Sequence, residues 1–144
     1  MNKNRSKIGQ RLIDIALEWE EKYSIAPNIT TAISEYDAAR CVGMSDREYA
    51  AAMIGRTAAS EGYDFRYEGN RYQVKGRRPG KPGRRVVRVP KAKNYYWDYL
   101  VFVLYDWEYD VLGIWQWTRR NYKKKIEPLE RVTVTNMREG KRLK

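Results

Sequence analysis

The 144-residue chain carries 29 Lys/Arg against 18 Asp/Glu, a formal net charge of +11, and no histidine. The missing imidazole excludes Ser-His and Cys-His nucleophile systems, histidine-based acid–base work, nucleases built on a catalytic histidine and the usual His-containing zinc sites. The length suits one domain with one core, no apolar run is long enough to span a membrane, the charged N-terminus is not of secretory type, and a single Cys41 excludes an internal disulfide and fits a reducing cytoplasm.

Ile8, Leu12, Ile15, Trp19 and Tyr23 recur at three- and four-residue spacing, predicting a first helix over 5–23 with one apolar stripe. Glu18, Glu20 and Glu21 near its end read as a solvated face. Ser24 to Thr31, with Pro27 and Asn28, is a connector. Ser34 is expected to cap a second helix that runs through Ala38-Ala39-Arg40-Cys41-Val42 and stops at Gly43. Ser45-Asp-Arg-Glu48 is a capping box for a third, alanine-rich helix reaching about Ser60.

Two short strands follow. Tyr63, Phe65 and Tyr67 alternate with polar residues, as do Tyr72 and Val74, and Gly69-Asn70 between them predicts a two-residue hairpin turn. That register opposes Glu68 to Arg71, Arg66 to Gln73 and Asp64 to Lys75, so one face collects Asp64, Gln73 and Lys75. Two readings stand on the residues alone. One is a solvated face with a cross-strand Asp–Lys pair. The other is a site where a carboxylate and an amide oxygen hold a hard metal and a lysine orients water or stabilises a phosphate.

The loop after Lys75 holds two Pro-Gly-type breaks and the cations Arg77, Arg78, Lys81, Arg84 and Arg85. Val86 to Val89 is expected to rejoin the sheet briefly. Lys91 and Lys93 lead into Tyr95, Tyr96 and Trp97, which suit either base stacking or a core. The apolar run from Asp98 to Tyr105 reads as a buried central strand. Tyr109 to Thr118 returns as another, with Val111, Gly113, Trp115 and Trp117 on one side. Thr118 to Lys125 reads as a short basic helix, Arg131 to Thr135 as an edge strand, and Met137 to Lys144 as a fraying end.

The charge is uneven. Residues 75–93 hold nine Lys/Arg and no acid, and residues 119–144 hold ten Lys/Arg and three acids, leaving the rest of the chain net acidic. Two basic segments on such a body point to a polyanion, most simply nucleic acid.

Asp64, eight further residues and Gln73-Val74-Lys75 resemble the motif of the PD-(D/E)XK nuclease superfamily, and within it the members with glutamine at the head of the lysine triplet, as in Mrr-type restriction endonucleases. The string Gly62-Tyr-Asp64, Arg71-Tyr-Gln-Val-Lys-Gly-Arg-Arg78 and Trp97 to Val103 is similar to small prokaryotic relatives of that group, and the likeness covers about residues 33–120. Tyr63 stands where many members have proline, and Gln73 replaces an acid. The resemblance implies a restriction-endonuclease-like α/β (α+β) core: a mixed sheet of four to five strands, the hairpin at its centre, behind N-terminal helices. Residues 1–32 would be helix and connector, 33–120 core, and 121–144 a basic extension. It implies a Mg²⁺-dependent DNA endonuclease, with Mn²⁺ as substitute. Asp64, the Gln73 side chain and the Val74 carbonyl would hold the metal, Lys75 would act on water, and Glu35 would complete the site, with Glu48 the weaker match. Arg77, Arg78, Lys81, Arg84, Arg85, Lys91 and Lys93 would meet DNA phosphates, and a homodimer would cut two strands. The alternative is a nucleic-acid-binding protein that does not cut.

Overall fold

The computed structural model describes residues 5–56 and 62–144. Three helices lead into a mixed five-stranded sheet. The first, α1 (Lys7–Tyr23), starts at Ser6, whose hydroxyl accepts the Gly9 N–H, and ends at Ser24 in the left-handed region. The second, α2 (Thr30–Val42), ends at Gly43 with φ of 119°. It begins a turn earlier than Ser34 because Ile29 already accepts the Ile33 N–H. Ser34 is therefore a buried interior residue whose hydroxyl donates to Thr31 O. The third, α3 (Asp46–Met53), has the predicted Ser45–Glu48 capping box but stops at Met53, and the expected remainder at 57–60 lies outside the described residues.

The strands are β1 (Phe65–Tyr67), β2 (Asn70–Arg77), β3 (Tyr99–Tyr105), β4 (Val111–Thr118) and β5 (Lys141–Arg142), in that spatial order. β2 and β3 run parallel, and the other neighbours are antiparallel. The hairpin therefore sits at one edge, and β3, buried from Leu100 to Tyr105, is the centre. Its turn is Glu68-Gly69, not Gly69-Asn70. Both turn residues have positive φ, 48° and 79°, as a hairpin turn of the primed type demands, so Tyr67 pairs with Asn70 and Phe65 with Tyr72. The pairing moves by two residues. Because the side-chain period is two, Gln73 and Lys75 keep their predicted common face, whereas Asp64, just before β1, turns its carboxylate to the edge of β2 instead of joining them there.

β3 divides the interior. Val101, Val103 and Tyr105 join Phe65, Tyr72, Val74, Ile13, Ile33, Ala38 and Ala39 under α2. Leu100, Phe102 and Leu104 join Trp97, Trp115, Trp117, Tyr122, Ile126 and Met137 on the other face. Trp97 is fully buried, which settles its place in the core, and Tyr96 stays exposed. β4 does not keep Val111 with the tryptophans. The register breaks between Leu104, which pairs with Gly113, and Tyr105, which pairs with Val111, and this bulge returns Val111 to the α2 side.

The C-terminal expectations change most. Helix α4 (Arg119–Lys125) forms as predicted, capped by Thr118. Instead of an edge strand over 131–135, Thr133 and Asn136 form a capping box for a single turn, α5 (Val134–Met137). Val86 to Val89 pairs with this segment rather than the sheet: Val89 N–H donates to Val132 O and Val134 N–H to Val87 O. The end does not fray, since Met137 is buried and β5 pairs with β4.

Two polar clamps fasten α1. Arg5, just before it, meets Asp37 of α2 at 2.7 Å, both side chains 1% exposed, and Tyr105 donates its hydroxyl to the same carboxylate at 2.6 Å. At the other end Glu20 pairs with Arg78 at 3.1 Å, and that guanidinium lies 3.9 Å over Trp107 and donates to the Trp107 carbonyl.

α2 approaches β2 closely because position 76 lacks a side chain: a Cβ there would stand 2.3 Å from both Cβ and Oγ of Ser34. Gly76→Ala is expected to destabilise the fold by about 1–3 kcal/mol in chemical denaturation, the range for overpacking, with Ser34→Gly in the same chain recovering part of the loss. An unchanged midpoint would show that α2 is not seated on this glycine.

Candidate active site

β1 is only three residues long, so its pairing with β2 ends at Phe65–Tyr72. Beyond that point the outer edge of β2 has no strand beside it among the described residues, and Asp64 fills the gap. Its N–H donates to Tyr72 O, and its carboxylate accepts the Val74 N–H at 2.7 Å. In a strand the N–H and C=O of one residue point to the same side, so the Val74 carbonyl also faces this edge and not β3.

Groups from both faces of the sheet meet around that edge. Ser34 seats α2 on Gly76, and the next residue, Glu35, shares a hydrogen bond with the Asp64 carboxyl. Gln73 and Lys75 alternate with Tyr72 and Val74 and so stand on the opposite face of β2, both half-buried. Lys75 nevertheless interacts with Asp64 around the edge. The structure thus brings Glu35, Asp64 and Lys75 together, with Gln73 and the Val74 carbonyl beside them. Glu48 is committed to its capping box.

The electrostatics follow from burial. Desolvation, and then the adjacent Asp64 charge, push Glu35 up from 4.5 to about 8. Burial also raises Asp64, opposed by the Val74 N–H, the Glu35 hydrogen bond, Lys75 and Arg56. Burial draws Lys75 below its ordinary value; Asp64 resists this, and the nearby Lys93 adds to it. Near neutral pH the two carboxyls hold a proton between them, the arrangement a hard cation displaces. Two carboxyls, with the Gln73 amide and the Val74 carbonyl next to them along β2, are oxygen donors of the kind that Mg²⁺ takes. Among the described residues there is no cluster of three or more His, Cys, Asp or Glu, so a metal at this edge would have to rely on Gln73 and the backbone as well as the two carboxyls.

Two further residues border the site without a motif to mark them. Tyr49 of α3 is pushed up to about 12 by burial and by the Glu35 and Asp64 charges. Arg56 acts on both carboxyls, donates to Tyr63 O and lies 4.5 Å over the Tyr63 ring. The only sequence signal was a lone tyrosine on an alanine-rich helix.

The seven cations proposed for phosphates divide. Arg78 is held by Glu20 and Trp107, its side chain 7% exposed, and serves the fold. Lys91 donates to Glu127 O. Arg77 is half-buried on the Lys75 face, with an Nε that has no hydrogen-bond partner among the described residues. Lys93 is exposed and near Lys75. Lys81, Arg84 and Arg85 are exposed on the loop, and the two arginines line a groove of about 760 Å³ with Asp106, Glu108 and Arg138. Asp98 pairs with Arg71 at 3.2 Å, away from the two carboxyls.

No protein-family model matches this sequence, and comparison with curated proteins finds no significant relative.

The raised Glu35 value has a testable sign. Between its ordinary value and about 8 the folded chain holds a proton that the unfolded chain releases, so stability is fullest below the ordinary value and falls as pH rises through 8. The chain has no histidine to titrate in this window. In metal-free buffer the denaturation midpoint should fall as pH rises from about 5 to about 8.5, and Glu35→Gln should flatten the slope. A flat wild-type profile would remove the shared proton from the account.

Proposed function

We propose that this chain is a Mg²⁺-dependent DNA endonuclease of the PD-(D/E)XK type. The observation that carries the reading is the meeting of Glu35, Asp64 and Lys75 at the open edge of β2, with the motif spacing of Asp64, Gln73 and Lys75 on the strands that build it. Asp64, Gln73, the Val74 carbonyl and Glu35 would hold the ion. Bound there, Mg²⁺ would lower the pKa of a water and neutralise charge on a phosphodiester.

The chain's own groups do the rest. Asp64, fixed by the Val74 N–H, sets the ligand geometry. Lys75, its ammonium eased toward deprotonation by burial, is suited to orient an attacking water or take its proton and to offset charge on the phosphate. Lys93 and Arg77 on the same side, with Lys81, Arg84 and Arg85 on the loop, would neutralise backbone phosphates without reading bases, so affinity would fall steeply with salt. One site cuts one strand, and a homodimer would cut both.

A second reading is a nuclease-like fold that binds nucleic acid without cutting. Gln73 in place of an acid favours it, as does Arg56, which already supplies positive charge to both carboxyls.

Supercoiled plasmid with Mg²⁺ or Mn²⁺, and EDTA as control, separates the two. Wild type is expected to nick and linearise DNA only with metal, and Asp64→Ala and Lys75→Ala to lower the rate about 10²–10³-fold or more while remaining folded. Tight, salt-sensitive DNA binding with no cutting of supercoiled, branched or single-stranded substrates would establish the second reading instead.

A further inference from the structure

The apolar stripe of α1 is not covered by the rest of the fold. Ile8, Leu12, Ile15, Trp19 and Tyr23 all face outward, from 39% exposed at Leu12 to 76% at Ile8. The helix is attached through its other face, by buried Ile13 and Ala16, partly buried Leu17, and the clamps at Arg5 and Glu20. From Ile8 to Trp19 the outer side chains follow a four-three-four spacing, the seam of a helix that packs against another helix, and Tyr23 follows one turn later. Trp19 and Tyr23 already lie against each other, ring centroids 4.6 Å apart.

We infer that the outer face of α1 is a docking surface for a second copy of this chain, the two helices antiparallel across a two-fold axis near Ile15. Charge selects this occupant. The exposed flank beside the stripe carries Arg11 in its first half and Glu18 in its second. Of the remaining charges beside the stripe, Asp14 accepts the Gln10 amide and Lys22 lies over Tyr23 of its own helix. Antiparallel pairing sets Arg11 against Glu18 of the second copy. The same arrangement sets Leu12 against Trp19 and Ile8 against Tyr23, with Ile15 meeting itself. Each of these pairs is centred on the turn that carries Ile15, so the surface complements itself, as a two-fold interface must. Parallel pairing would face Arg11 with Arg11 and Glu18 with Glu18, a like-charge arrangement that costs stability. The inference stands independently of the nuclease reading.

Sedimentation of the chain across roughly a hundredfold range of concentration, with circular dichroism as the folding check, tests it. Wild type should reach twice the monomer mass. Ile15→Asp, at an exposed position, should stay monomeric with unchanged helicity. Arg11→Glu and Glu18→Arg should each weaken the dimer, and the two together should restore it. A wild type that is monomeric throughout, or a dimer that Ile15→Asp leaves intact, would overturn the proposal. Single charge reversals that weaken the dimer without rescue in the double variant would overturn the antiparallel arrangement.

Discussion

The seating of α2 on β2 is the constraint on which the candidate site depends. Gly76 leaves no room for a side chain opposite Ser34, so the helix lies directly on the strand backbone. Glu35 is the next residue along, and this close approach carries its carboxyl to the edge where Asp64 caps Val74. One residue type on a strand thereby fixes the separation of two acids that are far apart in sequence. The short β1 completes the arrangement by leaving that edge of β2 open, so that Lys75, which belongs to the other face, can reach the same carboxylate.

The placement of α2 is also held by polar groups in a nearly dry setting. Asp37 receives the Arg5 guanidinium and the Tyr105 hydroxyl, tying the start of α1, the middle of α2 and the end of β3 to one carboxylate. Such a pair adds little to stability over an apolar equivalent, but losing one partner is costly because the other is left buried and unpaired. Its contribution is therefore chiefly geometric: it holds α1 by its inner face and leaves the outer one presented to solvent.

Local rules made much of the architecture readable. The Ser45–Glu48 box, the Gly43 stop, the unbroken apolar run of β3 and the basic α4 each follow from signals a few residues long. The faces of β2 were readable even though the turn was misplaced by one residue, because a two-residue change in pairing conserves side-chain direction. What could not be read depends on partners distant in the chain. Glu20 looked like part of a solvated face and Arg78 like a phosphate-binding cation, but the fold pairs them with each other and sets Arg78 over Trp107. The α1 stripe was correctly periodic, but periodicity states that a face is apolar and not whether this chain covers it. The C-terminal segment was misread because Thr133 and Asn136 satisfy each other as a cap, which outweighs the β-branched residues around them. At the site, strand alternation marked Asp64, Gln73 and Lys75, whereas Tyr49 and Arg56 come from a helix and a following turn with no fixed spacing to the motif.

The central proposal is that Glu35 and Asp64 hold a proton that a hard metal ion would replace. Calorimetric titration of Mn²⁺ into the protein at about pH 7, in two buffers of different ionisation enthalpy, tests this most directly. The account predicts one site whose occupation releases about one proton, a release that disappears in Glu35→Gln, and binding that is lost in Asp64→Ala. Absence of binding by the folded wild type, or binding that proceeds with no proton release and is indifferent to both substitutions, would contradict it.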